Sequence, residues 1–222
     1  MNMVDEAPVI WLKNRHADNQ AQSDAVNRLL PTGITDEARA FHSQLPGYEI
    51  TPLKRLSRLA SRLGLGSIWV KDESSRMRLN AFKALGGSYA IYRFICQKLG
   101  QPHLSFADLN AYEARMALGN ITFTSATDGN HGKGLAWAAQ KLRFPCVIYV
   151  HKHTTQARIA AIAEFGAEVR VVDGNYDDAV RQCERDARAN GWQVISDTSW
   201  PGYEDVPMWV MQGYTTLLAE TQ

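Results

Sequence analysis

The stretch Asn80-Ala81-Phe82-Lys83-Ala84-Leu85-Gly86-Gly87 sets one lysine among apolar and glycine residues where a helix begins. An amine kept in an apolar pocket has its pKa lowered, which makes it a nucleophile toward a carbonyl and a base at neutral pH. The plainer reading is a solvated helix lysine, because burying an amine is costly. A second stretch, Thr124-Ser125-Ala126-Thr127-Asp128-Gly129-Asn130-His131-Gly132, lies between a strand pattern and a helix pattern. In open α/β sheets this junction binds ligands, because the helix start leaves N–H groups free to hold an anion. Its plainer reading is a turn in which Asp128, Gly129 and Asn130 cap the helix. Three further features are weaker. His151-Lys152-His153 offers two metal ligands without a third at a supporting spacing, so no metal is expected there. His131 reads as a first-turn residue rather than a base, and Trp200, Trp209 and Tyr214 as core or subunit interface.

Both stretches need a frame to hold them, and from residue 121 onward the chain supplies a regular one. Short β-branched or apolar runs alternate with segments whose apolar residues recur at helical spacing. Strands are expected at 121–125, 146–150, 168–172 and 193–195, with helices at 131–142, 156–165 and 176–190. Gly166 closes the second helix, and the third has Asn175 as its cap and Gly191 behind it. Strand, helix, strand in this rhythm favours a parallel, doubly wound sheet. Earlier, 67–71 reads as a strand and 80–100 contains a helix whose Gly86-Gly87 pair is unusual. Each glycine costs roughly 1 kcal/mol against alanine, so a close backbone approach is expected there. Residues 1–45 carry only Trp11, a Pro31-Thr32-Gly33 turn and a short helix at 36–44. At the other end, 209–222 has helical spacing with no cap or stop, as if the chain ended inside an element.

Composition narrows the partners. The 222 residues carry 24 basic and 23 acidic side chains, a formal charge of +1, and 45% hydrophobic residues, enough for a packed core. That balance gives no electrostatic reason for nucleic acid or an anionic membrane, so a small molecule is the expected partner. Three scattered cysteines, Cys96, Cys146 and Cys183, form neither a zinc spacing nor a disulfide framework, which suits a reduced, cytoplasmic protein. No secretory signal or bilayer-spanning run is expected.

The lysine stretch and the Gly-Asn-His loop occur together and in this order. In that combination the chain resembles the fold type II, tryptophan synthase β-like, pyridoxal-phosphate enzymes. More narrowly, several segments are similar to the diaminopropionate ammonia-lyases: Val70-Lys71-Asp72-Glu73-Ser74, Thr127 through Gly132, Ala136-Trp137-Ala138-Ala139-Gln140, Asn175-Tyr176-Asp177-Asp178, and Met211-Gln212-Gly213-Tyr214 with Trp209. Asp128 distinguishes this set, since threonine and serine dehydratases of the fold usually lack an aspartate before Gly-Asn-His.

The resemblance implies an α/β fold with doubly wound sheet domains and pyridoxal 5'-phosphate as cofactor. It implies that Lys83 carries the cofactor, that Asn130 hydrogen-bonds the phenolic oxygen of its ring and that Phe82 packs beside that ring. The loop Ala126, Thr127, Asp128 and Gly129 would hold the substrate carboxylate, and Asp197 would lie near the substrate amine. The reaction implied is elimination of 2,3-diaminopropionate, D and L, to pyruvate and ammonia, with Lys83 as base for one enantiomer and Asp128 for the other.

Domains are expected at 1–86 and 87–199, with 200–222 returning to the first. Members of this group are typically homodimers about twice this length, so the chain is expected to be an N-terminal portion, with the C-terminal half of the large domain missing. The phosphate-holding glycine run has no counterpart in Gly64-Leu65-Gly66, Gly86-Gly87 or the glycines of 129–134. Two other readings stay open: an inactive remnant acting as a binding module, and a threonine or serine dehydratase-like enzyme.

Overall fold

The structure, a computed structural model, describes Asp24 and residues 26–221, so the feature expected at Trp11 lies outside the described residues. Its centre is the alternating region. Strands β3 (Phe123–Ala126), β4 (Cys146–His151), β5 (Glu168–Val172) and β6 (Gln193–Val194) form a parallel sheet in the order β5-β4-β3-β6. The connecting helices are α6 (Asn130–Lys141), α7 (Gln156–Ala163) and α8 (Tyr176–Asn190). The chain therefore steps outward from β3 to β5 and then returns past β3 to β6. Strand order reverses between β3 and β6, and the crevice at such a switch point is where open sheets take ligands.

Alternation along β4 explains why helices cover both faces. Ile148 and Val150 point into the main core with α6, whereas Val147 and Tyr149 meet Ala179 and Cys183 of α8 on the other side. The start of α8 is set locally: Asn175 and Asp178 form a reciprocal capping box, and Gly191 ends the helix in the left-handed conformation.

The lysine stretch opens α3 (Lys83–Leu99), which packs between α6 and α9 (Asp205–Tyr214). This is where the glycine pair finds its reason. A Cβ on Gly86 would sit 2.6 Å from the Tyr214 ring, and one on Gly213 would sit 2.5 Å from the Leu85 carbonyl oxygen. Facing glycines let α3 and α9 cross almost backbone to backbone. The domain division expected at 86/87 falls inside α3, which runs unbroken across it. On the other flank, Gly134 of α6 lies against the start of α3. Replacing Gly134 with alanine would put a methyl 2.7 Å from Ala84 N and 2.8 Å from the Lys83 carbonyl carbon. Backbone atoms cannot rotate away, so Gly134→Ala should destabilise by about 2 kcal/mol, read as a lower urea midpoint with an unchanged slope. An unchanged midpoint would show that the two helices are not in this contact.

The first third is assembled around this centre. Helix α1 (Ile34–His42) brings the buried His42 ring against α3 and α10 (Thr216–Ala219). Its Nε2–H donates to the Leu85 carbonyl at 2.9 Å and its Nδ1 accepts from the Thr216 hydroxyl at 2.7 Å. Burial lowers its pKa to about 3, so the ring is neutral and serves as a structural tie. Strands β1 (Leu53–Arg55) and β2 (Trp69–Lys71) pair antiparallel, with α2 (Ser57–Arg62) between them. A 3₁₀ segment (Glu73–Arg78) then leads to Lys83 through Met77, Arg78 and Asn80, all at positive φ. Two short helices, α4 (Phe106–Asn110) and α5 (Tyr112–Leu118), complete the order. The helix expected over 209–222 starts earlier, at Asp205, and breaks at Thr215 into α9 and α10. No helix among the described residues is long and apolar enough to cross a membrane.

Candidate active site

The switch point gathers side chains from four parts of the chain. Lys83, at the first turn of α3, donates from Nζ to Asp197 Oδ2 at 2.9 Å. Asp197 follows β6 on one side of the crevice, and the 126–129 loop follows β3 on the other. The Lys83 amine also lies over two rings, 5.5 Å from the centre of Phe82 and 5.2 Å from that of Tyr214, which meet edge to face at 5.0 Å. The expected depression of the Lys83 pKa is reversed here. Burial does push it down, but the hydrogen bond to Asp197 and the neighbouring Tyr214 outweigh burial and raise it. Asp197 is held below the usual carboxylate range: burial raises it, and the Lys83 ammonium that donates to it more than compensates. The resting state is an ammonium–carboxylate pair, not a free amine in an apolar pocket.

His131 is a second departure from expectation. It does stand in the first turn of α6, yet it is buried and faces the site. Nε2–H donates to the Ile195 carbonyl at 2.9 Å, and Nδ1 has no hydrogen-bond partner among the described residues while lying 3.7 Å from Asp197 Oδ2. Burial lowers its pKa and keeps the ring neutral, so Nδ1 is a lone pair beside a carboxylate. Two acceptors side by side suit a donor placed between them. The Tyr214 hydroxyl and Ser125 Oγ are likewise buried with no hydrogen-bond partner among the described residues. The three aromatics expected as core or interface therefore diverge: Trp209 is core, Trp200 stacks on Tyr203 at 4.1 Å, and Tyr214 faces Lys83.

The loop after β3 is only partly free. Thr127 N–H donates to the Tyr149 carbonyl at 2.9 Å, continuing the sheet, and Gly129 N–H reaches Thr127 Oγ1 at 3.4 Å. Thr127 thus cannot offer its N–H to a substrate carboxylate, contrary to the simplest expectation for the loop. The N–H groups of Asp128, Asn130 and His131 have no acceptor among the described residues. The last two open a twelve-residue helix, the polarity that favours an anion. Ala126 ends β3, with its carbonyl accepting from Tyr176 Oη at 3.3 Å, and the Asn130 side chain is exposed. Asp128 has partners other than those of Lys83: its Oδ2 accepts from Arg158 Nη1 at 2.8 Å and lies 3.3 Å from His151 Nε2. A small cavity of about 140 Å³ adjoins it, lined by Asp128, Asn130, Lys133 and Arg158.

The residues beside Lys83 suit the aldehyde and ring end of a pyridoxal group. They supply a reachable amine, two aromatic rings and unpartnered buried polar atoms on His131 and Tyr214. Its phosphate has no comparable glycine nest among the described residues, since Gly86 and Gly134 are used in helix packing. His131, Tyr214, Arg158 and His151 are the site neighbours that sequence reasoning did not assign. His131 had a local signal in its place directly after the loop and His151 in the His-Lys-His motif, whereas Arg158 had none.

A family model described as pyridoxal-phosphate dependent enzyme matches residues 45–222. A diaminopropionate ammonia-lyase of Salmonella typhimurium is 49% identical over 194 residues, covering 86% of this chain and 48% of that protein. The apo crystal structure of the Escherichia coli diaminopropionate ammonia lyase superposes with a TM-score of 0.80 at 47% identity, covering 87% of this chain and 52% of that one. A second crystal structure of that enzyme, titled as a complex with an aminoacrylate-PLP azomethine reaction intermediate, gives 0.77 at 45% identity, covering 87% and 48%. The chain spans about half the length of the curated relatives it matches.

Proposed function

Because this chain belongs to the pyridoxal-phosphate dependent enzyme family, we propose that it carries the lysine and substrate loop for elimination of D- and L-2,3-diaminopropionate to pyruvate and ammonia. The observation that carries this reading is the convergence of Lys83, Asp197 and the Asp128 loop at one sheet switch point. Pyridoxal phosphate, when bound through Lys83, supplies an electron sink that makes a proton on the substrate's Cα removable.

The chain's own groups do the rest. The α6 N-terminus, with the free N–H groups of Asn130 and His131, suits the substrate carboxylate. Asp197 loses its cationic partner when the lysine amine is engaged. Its carboxylate then faces the substrate's 3-amino group, which leaves as ammonia only when protonated. His131 Nδ1, 3.7 Å away, offers a second acceptor to the same ammonium. Asn130, exposed at the loop's end, and Phe82, against Tyr214, flank the lysine as polar and apolar neighbours of the ring. Removal of the Cα proton from opposite sides of the substrate requires two bases. Lys83 and Asp128 come from different elements and have separate partners, which supports giving one enantiomer to each.

Asp128→Asn should therefore lower kcat on the D substrate by at least about a hundredfold and on the L substrate only a few fold, read as pyruvate formed by the cofactor-loaded protein. Equal losses on both would remove the two-base assignment, and cofactor binding without pyruvate from either enantiomer would remove the reaction itself. A cytoplasmic homodimer belongs to the same proposal. For the compartment, Cys96, Cys146 and Cys183 are all free and buried, as suits a reducing one.

A further inference from the structure

We propose that His151 and Arg158 clamp the Asp128 carboxylate and thereby set turnover of the D substrate, a role that rests on the two-base reading above. Both contacts fall on one oxygen, Oδ2, from Arg158 Nη1 at 2.8 Å and from His151 Nε2 at 3.3 Å. The other oxygen, Oδ1, is left to meet the substrate. A carboxylate pinned at one oxygen from two directions cannot swing about its last torsion, so its basic lone pair keeps one aim.

The ring tautomer of His151 is set by its own turn. The backbone N–H of His153 donates to His151 Nδ1 at 3.1 Å, so Nδ1 is the acceptor and the ring proton stands on Nε2, the nitrogen 3.3 Å from Asp128 Oδ2. The turn is itself closed by Thr154 N–H on the His151 carbonyl at 3.0 Å. His151 ends β4, the strand registered against β3, and Thr127 N–H bonds the Tyr149 carbonyl just before Asp128. The base and its clamp thus sit on adjacent strand ends of one sheet. Arg158 approaches from the first turn of α7 across the small cavity. The Arg158 side chain is 59% exposed, and ion pairs of that kind add little to stability, so the consequence of this pair is orientation. The His-Lys-His motif, set aside above as a weak metal candidate, gains a role in which only its two histidines take part.

In the step concerned the Cα–H bond breaks, an O–H bond forms at Asp128 Oδ1, and the electron pair stays with the substrate. His151 and Arg158 exchange no proton. They are positioning residues.

The test compares His151→Leu, His151→Gln, Arg158→Met and Asp128→Asn in the cofactor-loaded protein, with kcat and KM on each enantiomer. His151→Leu and Arg158→Met should each lower kcat on the D substrate by about 10- to 50-fold and on the L substrate by less than about threefold. His151→Gln should recover most of the D rate, because its amide N–H reaches the place of Nε2–H. In the chain without cofactor, ¹⁵N shifts should put the His151 proton on Nε2, and Asp128→Asn should weaken that preference. If Asp128→Asn is selective for D while the clamp variants harm both enantiomers alike or neither, the clamp is overturned. A proton found on Nδ1 overturns it as well. If Asp128→Asn is not selective, the two-base reading has failed first and the clamp falls with it.

Discussion

Lys83→Arg is expected to abolish pyruvate formation, by at least about a thousandfold, while leaving the folded protein as stable as before. The two halves of that expectation have separate causes. Arginine keeps the positive charge and can take over the 2.9 Å contact to Asp197, so the ion pair across the crevice survives. A guanidinium does not deprotonate at any working pH, so it offers no nucleophile for a cofactor aldehyde. Lysine can do so even though its own pKa is raised here, because an alkylammonium keeps a small free-amine fraction near neutral pH that the aldehyde draws off, and Asp197 is released as the amine reacts. Borohydride reduction with pyridoxal phosphate should add the cofactor's mass to the peptide containing Lys83, and add nothing in the variant. A reduced adduct on another lysine would overturn the assignment. Lys71 and Lys133 are poorer candidates, the first held by Glu220 at 2.6 Å and the second donating to the Leu79 carbonyl at 3.2 Å.

Glu220→Ala should cost about 3 kcal/mol of stability at neutral pH. Glu220 reaches back from the end of α10 into a buried cluster in which Lys71 and Arg76 face Glu73 and Glu220. Arg76 Nη1 and Nη2 donate to Glu220 Oε1 and Oε2 at 2.8 and 2.6 Å, and the Tyr48 hydroxyl donates to Oε1 at 2.8 Å. The side chains of Arg76 and Glu220 are both fully removed from solvent. Two cations against two carboxylates leave no net charge; without Glu220 one positive charge is buried unpaired. Arg76 keeps its bonds to Glu73 at 2.7 and 2.8 Å, which is why the cost stays at the lower end for broken buried pairs.

The same network fixes a pH dependence. Burial alone would raise the Glu220 pKa, but its hydrogen bonds to Arg76, Lys71 and Tyr48 bring it from 4.5 down to about 2. A carboxyl depressed by folding stabilises the folded state above its unfolded pKa and loses that contribution as pH falls through the folded one. The stabilisation is therefore complete above about pH 4.5 and fades toward pH 2. Urea midpoints of the protein and of Glu220→Ala should differ widely at pH 7 and approach each other near pH 2. A gap that does not narrow would show that Glu220 is not ionised in the fold. The cluster also bears on the site. Arg76 opens the turn in which Met77, Arg78 and Asn80 hold φ of 48°, 60° and 58°, a left-handed region that methionine and arginine rarely adopt. Pinning Arg76 on three sides helps hold that turn, and the turn delivers Lys83.

Much of this molecule was legible residue by residue. β5 and α8 match their expected spans, 168–172 and 176–190, because their signals act within a few residues: an apolar run, the Asn175–Asp178 capping box and the left-handed Gly191. Lys83 and the Asp128 loop stood out for a similar reason, each an unusual residue beside glycines at an element boundary. The first third was harder to read. β1 and β2 are three residues each with no buried, alternating face, and the turn before Lys83 uses positive φ at residues other than glycine. Propensity has nothing to register there, because distant ion pairs set the conformation.

The sequence by itself determined the parallel α/β alternation, the cofactor family and the identity of Lys83, Asp128 and Asp197 as candidates. Only the tertiary structure decided what each of them meets. Lys83 and Asp197 are 114 residues apart, and their contact raises the lysine pKa where an apolar setting alone would lower it. His131 is buried with an unpartnered Nδ1, Tyr214 comes in from α9, and Asp128 is held by His151 and Arg158 instead of merely capping a helix. The physical reason is range. Caps, turns and periodicity act within about one helical turn, whereas charge, burial and aim at a site depend on residues that only the closed sheet brings together.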